Sequence, residues 1–176
     1  LIIGSSGSGK TVLQKCMVGL FEPDKGEILY SGQNFTSMNS EEKTEIRKEI
    51  GMLFQGSALF DSQTVEQNVM FPLNMFTKDS YRKKMERVNE VLARVNLVDA
   101  NKKYPAELSG GMKKRVALAR AIVLNPKYLF CDEPNSGLDP QTSKVIDKLI
   151  RESTVEFNIT TVVNTHDMNS VMEIGN

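Results

Sequence analysis

The stretch that decides the fold is LIIGSSGSGKTVL, residues 1–13. Its centre, GSSGSG, has the composition of a flexible glycine–serine linker, and it also fits a glycine-rich loop that binds phosphate. The flanking residues favour the phosphate loop, because the apolar run Leu1–Ile3 precedes it and a helical apolar pattern follows it over Lys10–Leu20. We therefore predict a buried strand, a phosphate-binding loop and a helix, in that order.

The loop matches the pattern G-x-x-x-x-G-K-[ST] in full, in the strand–loop–helix context that the pattern requires. Its glycines permit backbone conformations in which successive N–H groups face an anion at the N-terminus of a helix. Lys10 is expected to reach the β- and γ-phosphates of a nucleotide, and the Thr11 hydroxyl is expected to bind Mg²⁺. The predicted nucleotide-binding residues of this loop are Gly4, Ser5, Ser6, Gly7, Ser8, Gly9, Lys10 and Thr11.

Composition limits the classes of partner. The 176 residues are about one domain, and 22 Lys and Arg balance 22 Asp and Glu. A neutral balance argues against a nucleic-acid partner, which would need a basic excess. No apolar run approaches the roughly 20 residues that span a bilayer, so we expect any membrane role to act through a partner. We expect Cys16 and Cys131 to be unpaired core residues, and the chain to be a fragment trimmed at both ends.

Apolar periodicity alternates strands with helices, which indicates an α/β fold with a mostly parallel sheet covered on both faces. Residues 61–124 lack a strand pattern, so we expect them to form a helical subdomain inserted into a nucleotide-binding core of residues 1–60 and 125–176. The predicted strands are Leu1–Ile3, Glu27–Tyr30, Gly51–Phe54, Tyr128–Cys131 and Ile159–Val163. The predicted helices are Lys10–Leu20, Asn39–Ile50, Thr64 to near Pro72, Ser80–Val95, Met112–Leu124 and Gln141–Glu152.

Three predictions concern which side of a helix is buried. The first helix should bury Val12, Leu13, Cys16, Met17 and Leu20. The helix Ser80–Val95 should bury an apolar stripe and turn Arg82, Lys83, Glu86 and Arg87 outward. The basic run Lys113–Arg115 is interpreted as a solvated helix face without a function.

Two acidic residues, Asp132 and Glu133, follow the apolar strand Tyr128–Cys131. An aspartate at the end of a buried strand beside a phosphate loop is well placed to hold Mg²⁺. The next carboxylate can polarise an attacking water, as a general base does. The alternative is a pair of acids in a surface turn, and the complete phosphate loop argues against it.

Ser109, Gly110 and Gly111 precede another predicted helix. Paired glycines at this position usually form a turn, yet a hydroxyl and free N–H groups at a helix N-terminus also make an anion site. Two phosphate-binding helix ends far apart in one chain predict that two molecules share nucleotide between them.

Taken together, the motifs resemble the ATP-binding subunit of an ABC transporter, over essentially the whole chain. The resemblance implies a P-loop ATPase that binds ATP and Mg²⁺ and pairs head to tail with a second ATP-binding subunit. Each nucleotide would lie between the Walker A motif of one subunit and the signature motif of the other. The matching segments are Gly4–Thr11 (Walker A), Gln55 (Q-loop), Leu108–Met112 (signature), Tyr128–Glu133 (Walker B), Ser136–Asp139 (D-loop) and His166 (switch histidine).

The resemblance also implies residue roles. His166 would contact the γ-phosphate and help to position Glu133, and Gln55 would sense Mg²⁺ and the attacking water. The signature motif of this family commonly ends in Gln, where this chain has Met112, and no adenine-stacking residue is identified. The implied sites are catalytic Glu133, His166 and Gln55; metal-binding Thr11, Gln55 and Asp132; and, beyond the phosphate loop, nucleotide-binding Ser109, Gly110, Gly111 and Asp139.

Three stretches, LFQGSALFDSQTVEQNVMFPL, LSGGMKKRVALARAI and DEPNSGLDP, resemble the ATPase of Mla-type phospholipid transporters. That branch implies an integral membrane permease, an MCE-domain lipid-binding protein, and a peripheral position on the cytoplasmic face of a bacterial inner membrane. The alternative is an importer of amino acids or another small polar solute. Two other classes are distinguished by sequence features. A soluble ABC ATPase would typically add a long coiled coil or a second cassette. A P-loop kinase would share the Walker A motif but would not need Leu108–Gly111.

Overall fold

The computed structural model describes residues 1–175. Within that range, a four-stranded sheet in the order β1-β6-β5-β4 and a two-stranded hairpin, β2-β3, combine with seven α-helices. The predicted α/β fold is confirmed. The strands are β1 Ile2–Ile3, β2 Leu29–Tyr30, β3 Gln33–Asn34, β4 Ile50–Leu53, β5 Tyr128–Asp132 and β6 Thr160–Thr165. The helices are α1 Lys10–Met17, α2 Ser40–Lys48, α3 Val65–Phe76, α4 Tyr81–Arg94, α5 Gly110–Ile122, α6 Pro140–Glu156 and α7 Met168–Ile174.

All pairings in the large sheet are parallel. Neighbouring strands stop together, with Leu53 beside Cys131, Asp132 beside Asn164, and Ile3 beside Thr165. The loops that follow the four strands therefore leave the sheet at one edge. In open parallel sheets this carboxyl edge is where ligands bind.

The sheet has a core on each face, as expected for parallel strands. Leu129 and Cys131 of β5 belong to a large apolar cluster with α3, α4, α5 and α6. Phe130, which lies between them in the sequence, belongs to a smaller cluster with Tyr30 and Phe35. The alternation along β5 thus anchors the strand from both sides, close to the point where it ends.

The first helix buries a different face from the predicted one. Val12 and Leu13 are 54% and 48% exposed, while Lys10 and Gln14 are buried. This face of α1 lies against polar side chains at the strand ends, and Asn164 Nδ2 donates to Gln14 Oε1 at 2.6 Å. The prediction was wrong because the site beneath the helix is polar. The prediction of a buried strand over Leu1–Ile3 was also wrong: β1 lies at the edge of the sheet, Leu1 and Ile3 are 46% and 51% exposed, and Ile2 is only half-buried.

Two further helices depart from the predictions. α3 begins at the predicted capping box and continues through Pro72 to Phe76, because buried side chains on both sides of the proline pack into the core. Arg87 of α4 does not face outward. Its guanidinium donates to the carbonyls of Ile122 and Val123, which end α5.

The segment between β4 and β5 contains three α-helices, α3, α4 and α5, and among its described residues it adds no strand to the sheet. Across the described residues 1–175, every helix is too short or too polar to cross a membrane.

Candidate nucleotide-binding site

Four loops meet at the carboxyl edge of the sheet. The loop after β1 is the predicted phosphate loop, and Gln55 follows β4. Glu133 follows β5, and His166 follows β6. The parallel topology thus collects residues from the whole length of the chain at one site.

The phosphate loop adopts the backbone that its glycines allow. Gly7 and Gly9 have φ of 80° and 90°, in the left-handed region that favours glycine, and Gly9 precedes the first turn of α1. Lys10 Nζ donates to the carbonyls of Gly4 at 2.8 Å and Ser5 at 3.1 Å. The ammonium therefore lies inside the loop, where it can exchange carbonyl acceptors for phosphate oxygens.

Two oxygens suited to Mg²⁺ lie together beside this loop. Thr11 Oγ1, on α1, donates to Asp132 Oδ1, at the end of β5, over 2.9 Å. Residues 1–175 contain no cluster of three or more His, Cys, Asp or Glu that could hold a metal ion. A hydroxyl and one carboxylate still fit Mg²⁺, which usually completes its shell with water and substrate phosphates.

Glu133 is held by three separate contacts. Its Oε1 lies 3.4 Å from Lys10 Nζ, and its Oε2 lies 2.8 Å from Nδ1 of His166. Its N–H donates to the carbonyl of Asn164 at 2.9 Å. Its φ of 45° is rare for a residue with a side chain, and strained backbone of this kind concentrates at functional sites. The carboxylate is thereby aimed at the phosphate loop.

The signature segment lies apart from the phosphate loop within one chain. Ser109 Oγ accepts a hydrogen bond from the Met112 N–H at 3.3 Å and so caps α5. Gly110 and Gly111 form the first turn, where Gly110 faces Leu138 of the D-loop and Gly111 faces Thr142 of α6. No hydrogen bond among residues 1–175 joins the segment to Gly4–Thr11.

Asp139 has a defined structural role as the N-cap of α6. Its Oδ1 accepts from the N–H groups of Gln141 and Thr142 at 3.0 Å, and its Oδ2 accepts from the Thr142 hydroxyl at 2.5 Å. The Thr142 hydroxyl bond lowers the pKa of Asp139. The predicted contact of Asp139 with nucleotide stays a prediction.

Comparison with known proteins identifies the family. The family described as ABC transporter matches residues 1–136. The chain belongs to the ABC transporter family. The dimeric structure of MJ0796, a bacterial ABC transporter cassette, aligns with a TM-score of 0.89 at 33% identity, over 98% of this chain and 76% of that one. A post-hydrolysis state of the same cassette, bound to ADP and Pi, aligns over the same shares of the two chains with a TM-score of 0.88 at 33% identity.

Curated relatives of this ABC transporter chain are named for transport. The methionine import ATP-binding protein MetN of Carboxydothermus hydrogenoformans is 47% identical over 175 residues, which are 98% of this chain and 51% of the relative. The probable ribonucleotide transport ATP-binding protein mkl of Mycobacterium tuberculosis is 41% identical over 169 residues, 96% of this chain and 47% of the relative. The chain spans about half the length of the curated relatives it matches. The resemblance to ABC ATPases is confirmed, and neither of these two relatives is named for phospholipid transport.

The structure brings together most of the predicted site residues of this ABC transporter chain. Thr11 contacts Asp132, and Lys10 and His166 both contact Glu133. Gln55 lies at the same edge, but its Nε2 donates to Ser136 Oγ at 3.2 Å, in the D-loop. Its predicted role at the metal stays a prediction.

Sequence reasoning missed Lys114. The predicted solvated face is wrong here, because Lys114 is 4% exposed and its Nζ donates to the carbonyl of Gln55. Burial lowers the pKa of this ammonium, opposed by the nearby acidic groups. A signal was present, since Leu118 and Ile122 follow at four-residue spacing and place Lys114 on the apolar face of α5.

Proposed function

We propose that this chain binds and hydrolyses ATP as the catalytic part of an ABC transporter subunit. The observation that carries the proposal is the arrangement around Glu133. Its carboxylate contacts His166 and Lys10, and the preceding residue, Asp132, contacts Thr11. Phosphoryl transfer to water needs a general base, a loop that binds the phosphates, and side chains that hold Mg²⁺, and these residues supply all three.

The chemistry follows from these contacts. Lys10 leaves the carbonyls of its own loop and donates to the phosphate oxygens. Bound Mg²⁺, held by Thr11 and Asp132, would neutralise charge on the phosphates. Glu133 orients a water and accepts its proton, while His166 holds the carboxylate in place. The buried position of Glu133 makes its charge more effective than it would be in bulk water.

We propose that the site is completed by a second subunit. Ser109, Gly110 and Gly111 lie at the N-terminus of α5 without a hydrogen bond to the phosphate loop of their own chain among residues 1–175. N–H groups at such a helix end suit the γ-phosphate of a nucleotide bound by a partner. The dimeric cassette with a similar fold supports this pairing.

The proposed test is Glu133→Gln in the intact protein. General bases contribute about 10²- to 10⁴-fold to rate, so turnover should fall by that factor while ATP binding is kept. An ATP-bound dimer should accumulate, as measured by gel filtration with ATP. Glu152→Gln, at an exposed position of α6, is the matched control. Turnover of Glu133→Gln within a few-fold of wild type would exclude the role of base.

We propose that the transporter moves phospholipid between membranes, together with a permease and an MCE-domain protein. The proposal rests on the three quoted stretches and on Met112 in the signature motif. An apolar groove of about 470 Å³ supports a permease contact. It lies beside the Q-loop and includes Phe54, Ala58, Phe60, Phe71 and Phe76. A permease bound there would place the chain on the cytoplasmic face of a bacterial inner membrane.

A second candidate is an importer of methionine or another small polar solute. The name of a relative that is 47% identical favours it. The same catalytic site would serve either substrate, because an ABC ATPase contacts nucleotide while the permease contacts the cargo. The two candidate substrates are therefore distinguished by identifying the partner subunits and not by the catalytic site.

Purification of the tagged intact subunit from its own membranes separates the two candidates. The phospholipid proposal predicts recovery of a permease, an MCE-domain protein and bound phospholipid, with ATPase activity that responds to added lipid. Recovery of a permease with a soluble amino-acid-binding protein would establish the second candidate and reject the first. Neither result would change the proposed role of Glu133.

We also propose that the chain divides into a nucleotide-binding core of residues 1–60 and 125–176 and a helical subdomain of residues 61–124. The helices α3, α4 and α5 support this division.

A further inference from the structure

One buried cation connects two loops of the site. Lys114 Nζ donates to the carbonyl of Gln55, in the loop after β4. The same atom lies 3.5 Å from the carbonyl oxygen of Glu133, in the loop after β5. The ammonium thus bridges the backbones of two residues that the proposed mechanism places beside the reacting phosphate.

A second cation of α5 supports the same loop. Arg120 donates to the carbonyls of Ser57 and Ala58, both at 2.8 Å. Ser57 and Ala58 have φ of 63° and 48°, so two consecutive residues with side chains adopt the left-handed conformation. Such backbone persists only where surrounding contacts hold it. The Q-loop is therefore held in shape by α5 and not by its own residues alone.

The contact between Lys114 and the Glu133 carbonyl also supports backbone with an unusual conformation. The Glu133 carbonyl also accepts a hydrogen bond from the Ser136 N–H at 3.1 Å, and Glu133 itself has a positive φ. Burying an ammonium costs free energy, and an apolar side chain at such a position is often equally stable or more so. Stability alone therefore does not explain why a charged residue occupies this position. A need to hold the two loops in place does explain it.

We propose that Lys114 is a positioning residue for ATP hydrolysis: from α5, it holds the backbones of Gln55 and Glu133 at one fixed separation. The inference rests on the proposed function. The first turn of α5 carries Gly110 and Gly111, where we place the partner's nucleotide. Docking of that nucleotide would then reach both catalytic loops through a side chain one turn further along the same helix.

Steady-state ATPase kinetics of Lys114→Met in the intact protein test the proposal. Methionine fills a similar volume and cannot donate to either carbonyl. Misplacement of catalytic groups by about 1 Å costs up to about a hundredfold, so kcat should fall about ten- to a hundredfold with KM within about threefold. The matched control is Lys148→Met, because Lys148 is exposed on α6. A kcat within twofold of wild type for Lys114→Met would overturn the proposal.

Amide hydrogen exchange gives a readout that does not depend on turnover. The N–H groups of Ser57 and Ser136 bond to the carbonyls of Phe54 and Glu133 and report the order of the two loops. In Lys114→Met both amides should exchange about tenfold faster than in Lys148→Met, while buried amides of α4 should not change. Unchanged exchange at Ser57 and Ser136 would also overturn the proposal.

If Lys114→Met does not fold, the same measurements can be made on Lys114→Gln. Its amide donates but is one bond shorter, so it should reach one carbonyl at a time and lose about two- to fivefold in kcat. Wild-type kcat and exchange in Lys114→Gln would then reject the inference. Failure of the proposed function looks different, because the wild-type protein itself would not hydrolyse ATP.

Discussion

The contact between the signature segment and α6 predicts that alanine substitution at two adjacent glycines will have very different effects on stability. A Cβ added at Gly111 would lie 2.4 Å from Cγ2 of Thr142, whereas a Cβ added at Gly110 would lie 3.4 Å from Cδ2 of Leu138. Carbon atoms in contact are about 3.5–4.0 Å apart, so alanine at Gly111 overlaps by more than about 1 Å. The Thr142 methyl cannot rotate away without breaking the 2.5 Å bond from its hydroxyl to Asp139.

The two effects on stability can be weighed. Overpacking costs about 1–3 kcal/mol, and replacing glycine by alanine in a helix returns about 0.5–1 kcal/mol. Gly111→Ala should therefore lower the free energy of unfolding by about 0.5–2 kcal/mol, whereas Gly110→Ala, which meets no such overlap, should leave it unchanged or raise it by up to about 1 kcal/mol. Urea unfolding followed by circular dichroism measures both changes.

A double-mutant cycle isolates the cause. Thr142→Ser removes the methyl group and keeps the hydroxyl that contacts Asp139. Gly111→Ala combined with Thr142→Ser should recover about 1 kcal/mol relative to the sum of the single changes. Equal stability of Gly110→Ala and Gly111→Ala, or additivity of the two changes within about 0.3 kcal/mol, would refute the packing argument.

Three further predictions concern single side chains. Asn68→Ala should lower the free energy of unfolding by about 2–4 kcal/mol, because the buried Asn68 side chain hydrogen-bonds to the backbone of Phe60, Gln63 and Thr64. A loss of less than about 1 kcal/mol, measured by urea unfolding, would contradict this prediction. Burial raises the pKa of Asp147, so the native state keeps its proton at a pH where the unfolded chain has lost it. Stability relative to Asp147→Asn should therefore rise as pH falls from neutral towards about 4, and a pH-independent difference would be evidence against it. Asn39→Ala should cost about 1 kcal/mol by removing the capping box of α2, and Ser40→Ala, at the next position, should cost less.

The sequence predicted several residues that lie together at the carboxyl edge of the sheet, for a physical reason. Thr11 opens a helix, and Asp132 and Glu133 follow an apolar run, so short-range pattern places these three residues, whereas His166 was assigned through the resemblance to ABC ATPases. Parallel pairing then brings them to one edge, since all such strands end on the same side. The strand order itself required the structure.

What the sequence did not reveal depends on contacts distant in the chain. Gln14 is buried because Asn164, 150 residues away, lies beneath α1. Lys114 is buried because its acceptors are the carbonyls of Gln55 and Glu133, 59 and 19 residues away. A polar residue on a helix is ordinarily exposed. Periodicity therefore assigns such positions to solvent unless the partner is already known.

The measurement that tests the central claim most directly is the ATPase activity of a mixed dimer. One subunit carries Lys10→Ala and the other carries Ser109→Arg, and two different affinity tags select the mixed species. If each nucleotide lies between the phosphate loop of one subunit and Ser109 of the other, the mixed dimer keeps one intact site. We predict ATPase activity well above that of either mutant homodimer, and normal ATP binding by the isolated Ser109→Arg subunit. Activity no higher than that of the homodimers, or loss of ATP binding by isolated Ser109→Arg, would contradict a site shared between two subunits.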